Sequence, residues 1–220
     1  MNEYVKNIPR VMSILGKEYP SSKTTLNLMR YEKSPNAFRI LISCLLSLRT
    51  QDKNTEKASN KLFEVADTPE KIVKIPVKIL EELIYSSGHY KKKARIIKHV
   101  SEVLINEFNS KVPDTREELM SIKGIGPKTA NIVLAFAFGK EVLPIDTHCH
   151  RIPNRLGWVK TKTPEQTEEE LSKILPKKYW REFNSIFVQF GKTICQPVSP
   201  LCSTCPVNKY CPRIGVIRSR

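Results

Sequence analysis

Lys128 lies in the segment Leu119-Met120-Ser121-Ile122-Lys123-Gly124-Ile125-Gly126-Pro127-Lys128-Thr129-Ala130, where two glycines make a tight turn between helices and Pro127 opens the second helix. A cation in the first helical turn faces the positive end of the macrodipole, which disfavours it by roughly 0.3–1 kcal/mol when exposed, and burial disfavours the charge further. A lysine held partly neutral is a nucleophile, suited to Schiff-base chemistry at a sugar or carbonyl carbon; a lysine that pairs with a phosphate is the plainer alternative. The turn itself, Lys123, Gly124, Ile125 and Gly126, lets a partner approach the backbone closely. Amides at the start of the following helix suit an anion, for which a DNA phosphate is the natural candidate. A nucleotide-binding loop is rejected, because no strand precedes the turn and Pro127 separates glycine from lysine.

A nucleophile of this kind needs a group that takes and returns protons. Asp146, in Ile145-Asp146-Thr147-His148-Cys149-His150-Arg151, is the candidate, and it is also placed to cap a helix that starts at Thr147 and that Pro153 would end or kink. Capping and catalysis are compatible, since the cap fixes the carboxylate's orientation. His148 and His150 are two apart and point to different helix faces, so no metal site is expected there. Cys195, Cys202, Cys205 and Cys211, with 6, 2 and 5 residues between them, sit among prolines and small residues that oppose helix, so four thiolates are expected to converge on one point. Four-cysteine zinc sites usually come as two Cys-x-x-Cys knuckles, and Cys202/Cys205 is the single one here. A 4Fe-4S cluster spans more volume and tolerates uneven spacing, which favours it. Cys44 is read as core packing, and neither it nor Cys149 is expected to take part in the chemistry.

The elements that must position these residues are helical. Strand-period alternation, hairpin signals and internal repeats are lacking, whereas helix starts recur: Ser34-Pro35, Thr68-Pro69 and Thr163-Pro164 each pair an N-cap with proline, and Asp114/Glu117 and Thr163/Gln166 have capping-box spacing. The chain reads as all-α. Phe38 to Leu48 and Thr129 to Phe138 are apolar nearly all round and are expected to lie side by side in a domain interior. Amphipathic helices are expected near Lys53–Val65, Val77–Ser86, Lys91–Asn109 and Thr115–Ile122. This organisation implies a central helical domain over 31–139, and a second over 1–30 plus 140–220 that ends in the cysteine loop, 195–211, with a site in the cleft between them. With 37 Lys and Arg against 22 Asp and Glu in 220 residues, a net charge of +15 points to a polyanionic partner. The longest apolar run, Ile132 to Phe138, is far short of the ~18–20 residues a bilayer requires, and the first residues lack the apolar stretch of a signal peptide. A cytoplasmic, nucleoid-associated monomer is therefore expected.

Taken together, Gly124-Ile125-Gly126-Pro127-Lys128-Thr129-Ala130-Asn131, then Asp146-Thr147-His148, then the four cysteines, resemble the endonuclease III family of DNA glycosylases, over nearly the whole chain from about Tyr31 to Cys211. The resemblance implies two helical domains around a DNA-binding cleft, a helix-hairpin-helix over 114–138 and a C-terminal 4Fe-4S cluster loop. It implies a bifunctional base-excision repair enzyme acting on double-stranded DNA with damaged bases or abasic sites, chiefly on oxidised pyrimidines. Lys128 matches the family's Schiff-base lysine and Asp146 its catalytic aspartate. The sequence departs from the family at Arg49, where a glutamine usually enters the space left by the flipped base, and at His89, where a larger apolar wedge is common. The segment Gln196 to Leu201 lacks the basic residues some relatives carry, a role that would pass to Lys192, Lys209 or Arg213. Monofunctional thymine or adenine glycosylases share the fold but lack a lysine at this position; a non-catalytic iron-sulfur DNA-binding protein would use the charge and hairpin only for binding.

Overall fold

A computed structural model describes residues 3–20 and 36–220 of the chain, and among these residues all regular structure is helical. The chain divides into two compact units, Thr24–Lys140 and Met1–Lys23 with Glu141–Arg220. The boundary expected at Tyr31 lies outside the described residues.

In the central unit, α1 (Ala37–Ser47) buries Phe38, Ile40, Leu41, Ile42, Cys44, Leu45 and Leu46, so it has almost no solvent face and occupies the interior. It packs against α2 (Pro127–Ala137), buried from Thr129 to Phe136, and against α3 (Asp52–Val65) and α4 (Tyr90–Phe108). The side-by-side pairing of the two apolar helices is as expected. Two short helices, α5 (Pro69–Lys74) and α6 (Val77–Leu83), cover α4, and α7 (Arg116–Ser121) leads into α2 through the glycine turn.

Two of the expected caps are displaced. The N-cap of α1 is Asn36, whose side chain accepts from the Arg39 amide at 3.1 Å, while Ser34 and Pro35 lie outside the described residues. The capping box of α7 is formed by Thr115 and Glu118, not by Asp114 and Glu117. Thr115 Oγ1 accepts from the Glu118 amide at 3.3 Å and donates to Glu118 Oε2 at 2.6 Å. Asp114 is engaged elsewhere: Lys140 Nζ donates to its carbonyl and pairs with its carboxylate at 3.3 Å. Thr68 and Thr163 cap as expected.

The other unit contains α8 (Ile8–Glu18), α9 (Thr147–Arg155), α10 (Pro164–Ile174) and α11 (Trp180–Thr193) around a core that includes Leu15, Ile152, Leu156, Trp158, Phe183, Phe187 and Phe190. Phe183 stacks on Phe187 with centroids 4.1 Å apart, and Trp158 leans on the same ring at 5.8 Å. Helix α9 runs against α11 so closely that a Cβ on Gly191 would clash with the His148 ring. Pro153 does not end α9; the helix continues through it to Arg155.

Candidate active site and cysteine cavity

The glycine turn is shaped by two different constraints. Gly124 has φ +107°, and a Cβ there would lie 2.7 Å from Cγ2 of Ile96 on α4, so neither backbone nor packing admits a side chain. Ile125 is buried and its amide donates to the Ile122 carbonyl at 3.1 Å, which anchors the turn, while Lys123 and Gly124 remain exposed. Gly126 is the N-cap of α2, with extended backbone and open space where its Cβ would stand; no side chain caps the helix among the described residues. Pro127 occupies the first helical turn as the sequence implies. Lys128 follows, half-buried, and its charge acts on the buried Cys44 thiol of α1. Burial pushes that thiol up, and Lys128 with hydrogen bonds from Thr129 and Ser47 opposes the rise.

In the other unit, Oδ1 of Asp146 accepts from the His148 and Cys149 amides, both at 2.9 Å. The N-cap expected at Asp146, before a helix starting at Thr147, is thus present, and it fixes the carboxylate at the head of α9. His148, Cys149 and His150 have separate partners. His148 Nδ1 meets Arg151 Nη2 at 3.1 Å, Cys149 is buried with Asn184 Nδ2 at 3.5 Å from its sulfur, and His150 Nδ1 bonds Thr167 Oγ1 at 2.6 Å. Arg151 also donates to the Cys195 carbonyl at 2.7 Å, and burial holds its guanidinium below the ordinary range against the charges of Cys195 and Asp146.

Cys195, Cys202, Cys205 and Cys211 line one cavity, with Ile152, Leu156, Phe190, Ile194, Leu201 and Val207 as its apolar wall. They surround a space and do not close on a point: among the described residues no three His, Cys, Asp or Glu side chains form a ligand set for a single ion. Burial pushes the Cys205 thiol up to about 11 and raises that of Cys211 as well. Hydrogen bonds reach the sulfurs from Arg155 Nη1 to Cys195 at 3.4 Å and from the Arg213 amide to Cys211 at 3.4 Å.

Two residues of the site escaped sequence reasoning. Arg155, buried, holds the cysteine loop by donating to the Gln196 and Pro197 carbonyls, each at 2.7 Å. Lys93, also buried, lies in the central unit between the turns that carry Arg49 and His89, both of which are exposed. The available signal was positional. Lys93 is in register with Ile97, Val100 and Leu104 on α4, and Arg155 falls among Ile152 and Leu156 on α9, so each is a charge on an apolar face. Of the residues expected to replace the missing basic contacts, Arg213 is tied to Asn208 Oδ1 at 2.7 Å and Lys209 lies over the Tyr210 ring.

Residues 42–177 match the model of the HhH-GPD superfamily of base excision DNA repair proteins. The chain is 50% identical to endonuclease III of Thermotoga maritima over 83% of its own length and 85% of the relative's. It is 34% identical to endonuclease III of Buchnera aphidicola over 94% and 93% of the two chains. Among solved structures, a trapped endonuclease III–DNA covalent intermediate superimposes with a TM-score of 0.83 at 32% identity, covering 95% of this chain and 96% of that one. By the match over residues 42–177 and the 50% identity to a relative covered over most of its length, the chain belongs to the endonuclease III family of HhH-GPD base excision DNA repair proteins.

Proposed function

We propose that Lys128 and Asp146 carry the chemistry of a DNA N-glycosylase with AP lyase activity that excises oxidised pyrimidines. The chain is a bifunctional base-excision repair enzyme by its family; the residue roles are the proposal. The observation that carries it is the placement of Lys128 in the first turn of α2, behind the open Gly126, in a chain similar to an endonuclease III captured covalently on DNA.

The damaged nucleotide leaves the duplex at a cost lowered by its weakened stacking and pairing. Nζ of Lys128 attacks C1′, the glycosidic bond breaks, and the base departs with the bonding electrons and takes up a proton. Asp146, held by its two backbone amides, assists deprotonation of the amine and stabilises positive charge on the sugar. Loss of the amine proton and opening of the sugar ring at the C1′–O4′ bond, with O4′ taking up a proton, give the imine; it acidifies the C2′ proton, whose loss expels the 3′ phosphate oxygen, and water then hydrolyses the imine to free Lys128.

The cysteine cavity fits a 4Fe-4S cluster held by Cys195, Cys202, Cys205 and Cys211. In support, the four thiols line one apolar cavity, and N–H donors reach Cys195 from Arg155 and Cys211 from Arg213. Bound there, the group would supply four cross-links to a tail that lacks a helical core. Iron and sulfide in stoichiometric amount with a brown absorbance are expected; stoichiometric zinc would overturn the assignment.

Borohydride reduction of the protein on abasic-site DNA tests the lysine role. A covalent adduct is expected with the wild type and none with Lys128→Gln, and absence of an adduct from active, cluster-loaded wild type would refute it.

A further inference from the structure

We propose that Lys93 is a positioning residue that locks together the two turns presenting Arg49 and His89 to DNA, and so sets where these side chains enter the duplex. The inference rests on the glycosylase reading above, in which Arg49 and His89 stand at the family's two insertion positions.

Lys93 is 6% exposed, and its ammonium donates to the Leu46 carbonyl at 2.7 Å, Thr50 Oγ1 at 2.8 Å and Ser87 Oγ at 2.8 Å. An ammonium has three donors, and here each has an acceptor. One acceptor lies in the last turn of α1, one in the turn that follows it and one in the turn before α4. The same atoms join the turns to each other: Ser87 Oγ donates to the Leu46 carbonyl at 2.9 Å, and the Gly88 amide donates to Thr50 Oγ1 at 3.0 Å. The backbones touch as well, since a Cβ on Gly88 would lie 2.7 Å from the Arg49 carbonyl oxygen.

Beside this knot stand the two exposed side chains, and each has the left-handed backbone that non-glycine residues avoid, with φ 52° at Arg49 and 57° at His89. Such conformations persist where surrounding structure over-determines them. The knot supplies that constraint, holding the residue after Arg49 and the residue before His89. All three acceptors are neutral, and burial lowers Lys93 to about 8, so the cation is kept without a carboxylate to offset its desolvation. An apolar residue would avoid that cost; what lysine adds is a tripod that reaches acceptors from both turns. Preorganised backbone matters where a side chain must enter a stack within a fraction of an ångström.

The test uses cluster-loaded protein and two readouts: single-turnover excision of an oxidised pyrimidine, which requires a stacked base to be displaced, and strand cleavage at a preformed abasic site, where no base must be unstacked. Lys93→Met is expected to slow excision tenfold or more while changing abasic-site cleavage less than threefold. Thr50→Val, which removes one acceptor and keeps the side-chain volume, is expected to show the same unequal loss at smaller size and serves where Lys93→Met folds poorly. In an Arg49→Ala/His89→Ala background the further effect of either substitution on excision is expected to vanish, because the side chains being positioned are gone. Equal loss of both activities, or an undiminished effect in that background, would overturn the inference while leaving the glycosylase reading intact. A wild type inactive in both assays would overturn that reading and the inference together.

Discussion

Gly124 and Gly126 are two residues apart in one turn, yet the structure assigns them opposite sensitivities. At Gly124 an alanine would have to adopt φ +107° and place its methyl 2.7 Å from Cγ2 of Ile96. The left-handed backbone costs about 1–2 kcal/mol and displacing a packed side chain a further ~1 kcal/mol, so Gly124→Ala should lose about 2–3 kcal/mol. For a chain of this size that is a fall in Tm of about 4–12 °C. At Gly126 φ is −98° and nothing lies within 4 Å of an added methyl. The weaker N-cap and the stiffer unfolded chain roughly cancel, so Gly126→Ala should stay within about 0.5 kcal/mol of wild type.

DNA binding should follow a different pattern. On the proposed DNA-binding role of the turn, a phosphate would approach the first amides of α2 through the open space at Gly126, and a methyl there is expected to weaken binding about tenfold, or ~1.4 kcal/mol. Calorimetric melting and fluorescence anisotropy on a duplex with an uncleavable abasic analogue separate the two effects. A Gly124→Ala protein that melts with the wild type would refute the strain argument. A Gly126→Ala protein that binds like the wild type would refute the close-approach argument.

Three further outcomes are expected. Thr115→Ala should lower stability by about 1 kcal/mol, whereas Asp114→Ala, which removes an exposed pair with Lys140, should cost less than about half of that; denaturant titration would expose a reversed order. Lys93 lies near 8 in the folded chain against an ordinary 10.5, so above pH 8 the folded protein releases this proton while the unfolded chain keeps it, and stability from this group rises with pH. The unfolding free energy of wild type relative to Lys93→Met should therefore increase by about 1 kcal/mol between pH 8.5 and 9.5, and a difference flat in pH would contradict the assignment. Asp146→Asn should retain duplex affinity and lose most turnover; if it unfolds the protein instead, the capping bonds to His148 and Cys149 are its main contribution.

Local chemistry is what the sequence determined by itself. Thr68 and Thr163 cap the helices they precede, Asp146 heads α9, Pro127 opens α2, and the two runs apolar on every side became the interior pair, because capping and burial periodicity depend on neighbours within one or two turns. Tertiary structure decided what neighbours could not. Asp114 and Thr115 are adjacent and both competent to cap, and the choice fell to Thr115 as Lys140, 26 residues on, engages Asp114. Pro153 signals a helix end or a kink, and of the two the end is excluded, since α9 carries through it, packed on α11 against Gly191. Four cysteines announce a metal site; that their sulfurs share a cavity walled by α9 and α11, held by Arg155, is a long-range fact. Lys93 is the plainest case: as sequence it is the third of three consecutive lysines. Only when α4 packs against α1 do the Leu46 carbonyl, Thr50 and Ser87 converge on its ammonium, since hydrogen bonds act over about 3 Å and chain separation does not limit them.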